Sequence, residues 1–239
     1  MKQGFVKVAS ATPRIRVADP VYNAQVICEQ AKEAAEHGAK IVVFPELCIT
    51  GYTCNDLFLQ ELLLEKAKEA LLTIAEETGQ LETLFLVGLP VDKDGRLYNV
   101  AAVLYRGRIL GMIPKKNIPM YAEFYEGRHF TPGEETVTEY RLGKQVIPFG
   151  SNLLFRCEEL PELILGCELC EDLWVAEPPS TSHALMGATV IANLSASNET
   201  VSKDDYRTLL IKASSARLLC GYISVSYTHL RAHETRGNL

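Results

Sequence analysis

Short apolar segments alternate with helical segments along most of this chain, and that alternation limits the folds open to it. Two of the apolar segments, Ile41–Phe44 and Leu84–Leu89, read as buried strands. Between them lies a stretch with helical periodicity from Asp56 to Glu77, which stops at Gly79. Helices that alternate with buried strands predict a layered α/β domain, with the helices packed outside a core of strands.

The remaining predicted elements fit the same arrangement. A helix begins at Asp19-Pro20, where Pro occupies the first helical position, and ends at His37-Gly38. A hairpin joins Tyr98–Tyr105 to Arg108–Ile113. The other predicted strands and the last helix are Phe5–Ser10, Asn152–Arg156, Leu163–Gly166, Thr189–Leu194, Gly221–Ser226 and, for the helix, Asp204–Leu219.

Composition excludes several classes of protein. With 239 residues and 47% hydrophobic content, the chain can bury one sizeable core. A net charge of -6 without a basic cluster argues against a nucleic-acid partner, and no apolar run is long enough to span a membrane. Seven irregularly spaced cysteines indicate neither a disulfide framework nor a zinc site, and the N-terminus lacks the apolar region of a signal peptide. We therefore expect a reduced, cytoplasmic protein.

The last stretch, Tyr227–Leu239, departs from the pattern before it. It is polar, rich in His and Arg, and continues neither helical nor strand periodicity. Because the preceding strand is interrupted in mid-domain, we predict a domain over residues 1–226 that is incomplete at its C-terminus, followed by a non-matching tail over 227–239. An uncovered sheet edge would leave such a chain poorly stable alone.

The segment Gly166–Trp174, G-C-E-L-C-E-D-L-W, places a thiol where a buried strand ends. Cys170 is predicted to begin a loop, among acidic neighbours that would raise the pKa of the thiol. A reactive thiolate there needs a cation and a base from elsewhere in the chain. Cys167 lies in the strand segment that leads to the site, three residues before Cys170, and is the weaker candidate nucleophile.

Two other strand ends carry residues that can supply that base and that cation. Glu46 follows I-V-V-F-P at the carboxyl end of a buried strand, where partial burial would make it a usable general base. Lys115 follows the strand Arg108–Ile113 and can stabilise an oxyanion, although spacing alone does not choose between Lys115 and Lys116. Glu126 can hold the lysine in place. Taken singly, each of these is more often an ordinary surface residue.

Four motifs together resemble one branch of the nitrilase (carbon–nitrogen hydrolase) superfamily. They are F-P-E-L-C-I-T-G-Y at 44–52, P-K-K-N-I-P-M-Y-A-E-F-Y-E at 114–126, C-E-L-C-E-D-L-W at 167–174 and N-L-S-A-S-N-E at 193–199. The branch is the glutaminase domain of glutamine-dependent NAD synthetases, and the resemblance covers Phe5 to about Ser226. It implies an α/β fold, the four-layer α-β-β-α sandwich, here incomplete at its C-terminus.

The resemblance also implies roles for individual residues. Glu46 matches the general base, Cys170 the nucleophile, and Lys115 the catalytic lysine, which directly follows Pro in the family. Glu126 matches a supporting second carboxylate. The positions that match the substrate-binding residues are Tyr121, Ser197, Lys203 and Glu171.

The implied reaction is hydrolysis of L-glutamine to glutamate and ammonia through a Cys thioester, without a metal or organic cofactor. In the family the ammonia converts deamido-NAD to NAD in a fused synthetase domain that uses ATP and magnesium, and the full-length proteins are homo-oligomers. This chain has no phosphate-binding loop for ATP, so that domain is expected as a missing partner. Two alternatives stay open: a stand-alone amidase of the nitrilase type that acts on another small amide, and a non-catalytic interaction module.

Overall fold

The computed structural model describes residues 4–227 of the chain. Residues 228–239, all but the first residue of the predicted tail, lie outside the described part. Two β-sheets pack face to face in the described part, and α-helices cover the outer face of each sheet. This arrangement confirms the predicted four-layer α-β-β-α sandwich.

The first sheet has seven strands and the second has four. The strands of the first are β1 (Val8–Ser10), β2 (Ile41–Val43), β3 (Leu84–Lys93), β4 (Arg96–Tyr105), β5 (Arg108–Pro114), β6 (Thr138–Leu142) and β7 (Gln145–Phe149), in the order β1-β2-β3-β4-β5-β7-β6. Those of the second are β8 (Leu154–Arg156), β9 (Ile164–Leu169), β10 (Val190–Leu194) and β11 (Gly221–Val225), in the order β11-β10-β9-β8. The α-helices are α1 (Pro20–Glu36), α2 (Glu61–Glu77), α3 (Pro179–Leu185) and α4 (Lys203–Leu218).

The site of interest lies where parallel strands of both sheets end. β1, β2 and β3 pair in parallel, as do β9, β10 and β11. After β2, the backbone N–H of Glu46 donates to the carbonyl of Ser195, which follows β10, at 3.3 Å. The carboxyl ends of β2 and β10 therefore lie side by side, and the loops that leave them can form one site.

Apolar side chains between the two sheets form the layer that joins them. We call this layer the inter-sheet core. From the first sheet it takes Ile41, Val43, Leu86, Ala101, Val103 and Ile113, and from the second Leu165, Cys167, Leu169, Ala192, Leu194, Ile223 and Val225. Because side chains alternate along a strand, the other face of each sheet packs on helices.

Helix α1 begins and ends where the sequence predicts. The Asp19 side chain accepts a hydrogen bond from the Tyr22 N–H at 3.1 Å, and Pro20 occupies the first helical position. Gly38 follows the helix with φ 81°, a conformation that glycine adopts without steric penalty. The first helix is thus specified locally at both ends.

Three parts of the fold differ from the prediction. The helix predicted from Asp56 is divided, because extended backbone at Gln60 (φ -90°, ψ 121°) separates a 3-10 segment, Tyr52–Leu59, from α2. The hairpin of β6 and β7 was not predicted, since Pro148 in β7 lowers the strand signal. Helix α3 was also missed, because its seven residues are too few for a clear helical period.

Candidate active site

Glu46 lies in a tight turn after β2 that packs against the backbone of β3. A Cβ atom at Gly88 would lie 2.3 Å from the Leu47 nitrogen and 2.9 Å from the Glu46 carbonyl carbon. Leu47 itself has φ 52°, which is uncommon for a residue with a side chain. The glycine in β3 therefore permits the close approach that directs the Glu46 carboxylate into the protein.

Lys115 joins two carboxylates in the interior. Its Nζ donates to Oε1 of Glu46 and to Oε1 of Glu126, each at 2.7 Å. Asn99 in β4 donates to Glu46 Oε1 at 2.7 Å, and the Tyr52 hydroxyl donates to Glu126 Oε1 at 2.6 Å. Glu46 and Lys115 are fully buried, and Glu126 is 5% exposed. We call Glu46, Lys115 and Glu126 the buried ionic cluster.

Burial sets the proton affinity of this cluster. It raises the pKa of the Glu46 carboxyl; the charge of Lys115 opposes the rise and that of Glu126 adds to it. Burial acts to lower the pKa of Lys115, but the charges of Glu126 and Glu46 hold it well above its usual value. The cluster therefore contains a lysine that stays charged and a carboxylate that accepts a proton more readily than one in water.

Cys170 is the first residue after β9 and begins a 3-10 turn, Cys170–Leu173. Its φ of 40° is strained for a residue with a side chain. Burial is the main cause that raises the pKa of the thiol to about 12, and the charge of Glu46 adds to it. The charge of Lys115 and a hydrogen bond from the Ala196 N–H act in the opposite direction. At neutral pH this sulfur is a thiol that needs a base before it can attack.

Asp172 ties the nucleophile turn to the segment that carries the lysine. One carboxylate oxygen accepts the Leu169 N–H at 3.0 Å, and the other accepts the backbone and side-chain N–H groups of Asn117, each at 2.8 Å. Asp172 is 1% exposed, and this burial raises its pKa to about 6. Asp172 thereby joins the predicted motif at 167–174 to the predicted motif at 114–126.

Cys167 and Cys170 are three residues apart but lie in different surroundings. Cys167 is inside β9 and packs in the inter-sheet core, whereas Cys170 lines an open pocket. Both thiols are free. Burial raises the pKa of Cys167 well above its usual value, and its acidic neighbours Glu168 and Asp172 add to the rise. Cys167 therefore lies within a strand and is packed in the core, whereas Cys170 faces the pocket.

The pocket in front of Cys170 has a volume of about 400 Å³. It is lined by Cys170 and the four predicted substrate-binding residues, Tyr121, Ser197, Lys203 and Glu171, together with Phe124, Trp174, Thr200, Val201, Ser202 and Tyr206. Glu46 and Lys115 are absent from this lining because they lie fully buried. The pocket is therefore an entrance that leads to Cys170, with the buried ionic cluster further inside.

Charged groups of opposite sign reach this pocket. The Tyr121 hydroxyl donates to the Glu171 carboxylate at 2.8 Å. The Lys203 ammonium donates to Asn198 and lies 5.1 Å from the ring centre of Trp174. A pocket with one carboxylate and one ammonium group suits a ligand that carries both charges, such as an amino acid.

Two residues near the predicted ones lie outside the site. Lys116, the alternative to Lys115, forms a surface ion pair with Glu135 at 2.5 Å. Arg128, two residues after Glu126, forms an ion pair with Asp56 at 2.9 Å. The structure thus brings Lys115 and Glu126 together, and it leaves Lys116 at the surface.

Sequence reasoning missed several residues that build the site. Asn99, Tyr52 and Asp172 contact the buried ionic cluster or the nucleophile turn, and no role was predicted for them. A signal existed for Asn99, since an amide within the apolar strand L-Y-N-V-A-A-V must find a buried partner. Tyr52 gives no such signal, because a tyrosine after a glycine is common at any surface.

Three further observations concern the rest of the described region. A larger cavity of about 450 Å³ includes none of the predicted site residues in its lining, which contains Tyr105, Arg106, Phe155 and Cys157. Across residues 4–227 no group of His, Cys, Asp and Glu side chains is arranged to hold a metal ion. No helix in the same range has the length and apolar character needed to cross a membrane.

The chain is similar in sequence to proteins of one known family. Residues 7–227 match the model of the carbon–nitrogen hydrolase family. The glutamine-dependent NAD(+) synthetase of Mycobacterium tuberculosis is 41% identical over 222 residues, which cover 93% of this chain and 33% of that protein. The chain spans about a third of the length of the curated relatives that it matches.

Solved structures give the same result at the level of the fold. A glutamine-dependent NAD(+) synthetase from Cytophaga hutchinsonii superposes with a TM-score of 0.83 at 29% identity, over 93% of this chain and 36% of that one. An amidase from Nesterenkonia sp. superposes with a TM-score of 0.69 at 20% identity, over 92% of this chain and 76% of the amidase. At 20% identity, the second likeness concerns the fold alone.

Proposed function

Since this chain belongs to the carbon–nitrogen hydrolase family, we propose that it hydrolyses the side-chain amide of L-glutamine to glutamate and ammonia. The observation that carries the proposal is the buried ionic cluster, whose Glu46 and Lys115 act electrostatically on the Cys170 thiol. A thiol, a base with raised proton affinity and a permanent cation are the groups that acyl transfer through a thioester requires.

The proposed reaction begins with attack by sulfur on the amide carbon. Glu46 takes the thiol proton as the bond between Cys170 Sγ and that carbon forms, and the carbonyl electrons move onto oxygen. The Lys115 ammonium stabilises the resulting oxyanion together with a backbone N–H, for which that of Glu171 is our candidate. Glu46 then gives its proton to the departing nitrogen, and ammonia leaves a thioester on Cys170. Water, deprotonated by Glu46, attacks the thioester carbon; glutamate is released as the Cys170 sulfur leaves and takes the proton back from Glu46.

The second carboxylate, Glu126, keeps Lys115 charged throughout this cycle. Glu126 accepts from Lys115 at the same distance as Glu46, 2.7 Å, so the lysine remains charged when Glu46 carries the proton. We therefore assign Glu126 a supporting role. No metal or organic cofactor takes part in the proposed half-reaction.

The head group of glutamine fits the charges of the pocket. We assign the substrate carboxylate to Lys203 and the substrate ammonium to Glu171, with the Tyr121 and Ser197 hydroxyls as further partners. A site that hydrogen-bonds its substrate rejects analogues that lack those groups. Glutamine is therefore expected to be preferred over asparagine, which is one methylene shorter, and over butyramide, which lacks the head group.

The ammonia is proposed to serve a synthetase unit. The named relatives are glutamine-dependent NAD(+) synthetases of about three times this length, which supports conversion of deamido-NAD to NAD in a second domain that uses ATP and magnesium. The domain boundary at residue 226, the cytoplasmic location and a homo-oligomeric full-length protein stay predictions. A stand-alone amidase is the alternative, and the amidase-like fold is compatible with it.

Labelling with an electrophilic glutamine analogue tests this function. Peptide mapping by mass spectrometry is expected to find the adduct on Cys170 and none on Cys167, its neighbour inside β9. Cys170→Ser should abolish ammonia release, whereas Cys167→Ser should keep much of it. An adduct confined to Cys167, or turnover of butyramide as fast as that of glutamine, would contradict the proposal.

A further inference from the structure

A buried carboxylate that the proposed reaction does not use lies two residues before the nucleophile. Glu168 in β9 points toward α3, where one of its oxygens accepts the Ser180 N–H at 2.9 Å. The other oxygen accepts the Tyr222 hydroxyl and, at 3.4 Å, the side-chain amide of Asn193. Glu168 is 1% exposed, so its hydrogen bonds are made without competition from water.

Asn193 extends this contact toward the site. Its Oδ1 accepts the Ser195 hydroxyl at 2.6 Å, and the Ser195 carbonyl accepts the Glu46 N–H at 3.3 Å. The next residue, Ala196, is buried, and its N–H is one of the groups that act to lower the pKa of the Cys170 thiol. The short loop after β10 therefore contacts the proposed base directly and acts electrostatically on the proposed nucleophile.

Burying this series of hydrogen-bonded polar groups destabilises the fold. The hydrogen-bond partners of the Glu168 side chain in the described region are neutral groups, and a buried carboxylate without a cation destabilises a protein. An apolar side chain at position 168 would fill the same layer without that penalty. A role in the site offers a physical reason for the carboxylate.

We propose that Glu168, Asn193 and Ser195 form a positioning network that holds the loop after β10 against Glu46 and Cys170. The proposal rests on the proposed function for its kinetic consequences, whereas its geometric consequence concerns the free protein. None of the three residues touches the substrate in this scheme. They fix the direction of the Ser195 carbonyl and of the Ala196 N–H, and thereby the relative position of base and sulfur.

Kinetics of four variants test whether the network acts on the reacting groups through Asn193 and Ser195. Asn193→Ala and Ser195→Ala are each expected to lower kcat about 10- to 100-fold with KM changed less than about twofold, since reacting groups are misplaced while the head-group contacts remain. The double variant should be no worse than the more impaired single one, because both break one chain. Tyr222→Phe, which removes a donor to Glu168 but not the path to Ser195, should keep kcat within about twofold.

Alkylation of the free protein tests the positioning network independently of glutamine hydrolysis. The Ala196 N–H favours the thiolate, so its displacement in Asn193→Ala should slow iodoacetamide labelling of Cys170 at pH 8 at least about threefold. General loosening of the fold would instead speed labelling of every buried cysteine, and half-buried Cys157 serves as the internal reference. Labelling of Cys170 at the parent rate, an additive double variant, or an equal loss in Tyr222→Phe would overturn the network.

Discussion

Glu46 and Glu126 share one ammonium group but differ in what their second oxygens contact. Glu126 Oε2 lies 3.4 Å from the Asn99 amide, whereas Glu46 Oε2 has no hydrogen-bond partner within residues 4–227. Because Glu46 Oε2 accepts no hydrogen bond there and the pKa of this carboxyl is raised, Oε2 can receive the proton from the thiol. The structure thus gives the two carboxylates unequal parts in one cluster.

The first prediction concerns that inequality. Glu46→Gln should lower glutamine turnover by about 10²–10⁴-fold, the usual contribution of a general base. Glu126→Gln should be milder, because Lys115 keeps its bond to Glu46. Ammonia release measured on folded variants gives the comparison, and a larger loss in Glu126→Gln would reverse the assignment of the base.

Glu46→Gln also has an expected effect in the opposite direction on the free thiol. The negative charge of Glu46 raises the pKa of Cys170, which is about 12, so its removal should lower that pKa and increase the thiolate fraction at pH 8. Iodoacetamide should therefore label Cys170 faster in the variant than in the parent, although turnover falls. A slower rate would mean that Glu46 stabilises the thiolate rather than opposing it.

At the scale of elements, the position of Glu46 depends on a strand that it does not belong to. Gly88→Ala should destabilise the fold by about 1–3 kcal/mol or more and remove activity, because the added carbon overlaps the turn from Pro45 to Leu47. Gly221→Ala is the matched control, since its Cβ would meet Val190 at 3.7 Å, an ordinary contact. Thermal unfolding followed by circular dichroism compares them, and equal melting temperatures would contradict this packing argument.

The sequence predicts those elements whose pattern does not depend on distant contacts. β2 and the first residues of β9 are recognisable because they are apolar, and the segments that follow them locate Glu46 and Cys170 without any structure. β7 was missed because Pro148 lowers the strand signal, and because the apolar Val146 on the outward face hides the alternation expected of a half-buried strand. Lys115 and Lys116 are equal in spacing, and only the pairing of β5 with β4 decides which one points inward. The resemblance to a family supplied that choice before the structure did.

At the scale of the whole molecule, β11 forms one edge of the second sheet in the described residues, where the Ser10 hydroxyl of β1 donates to the Ser224 carbonyl at 3.2 Å. Within residues 4–227, β11 pairs with β10 and with no other strand. The Gly221 N–H and the Val225 carbonyl point toward β10, so by alternation the N–H of Ser224 points outward. Such an edge can pair with another copy of the chain.

We expect this edge to cause self-association that rises with protein concentration. Ser224→Pro should reduce it while leaving the melting temperature nearly unchanged, because the lost N–H makes no bond to β10. Ile223→Pro is the control, since its N–H points toward β10 and its removal should destabilise the sheet. Sedimentation velocity at several concentrations measures the association, and an unaltered profile for Ser224→Pro would exclude β11 as its cause.

The inter-sheet core has a mechanical consequence for the site. Glu46 and Lys115 extend from the first sheet, while Cys170 and Ser195 extend from the second, and within residues 4–227 the two sheets share no strand pairing. Side-chain packing such as that of Ile113 on the second sheet, together with the contacts at the site itself, sets the distance between them. We therefore expect the rate of the proposed reaction to change under hydrostatic pressure, and with small cavities introduced into the inter-sheet core, under conditions where the protein is still folded. The rate would then report the distance between the two sheets.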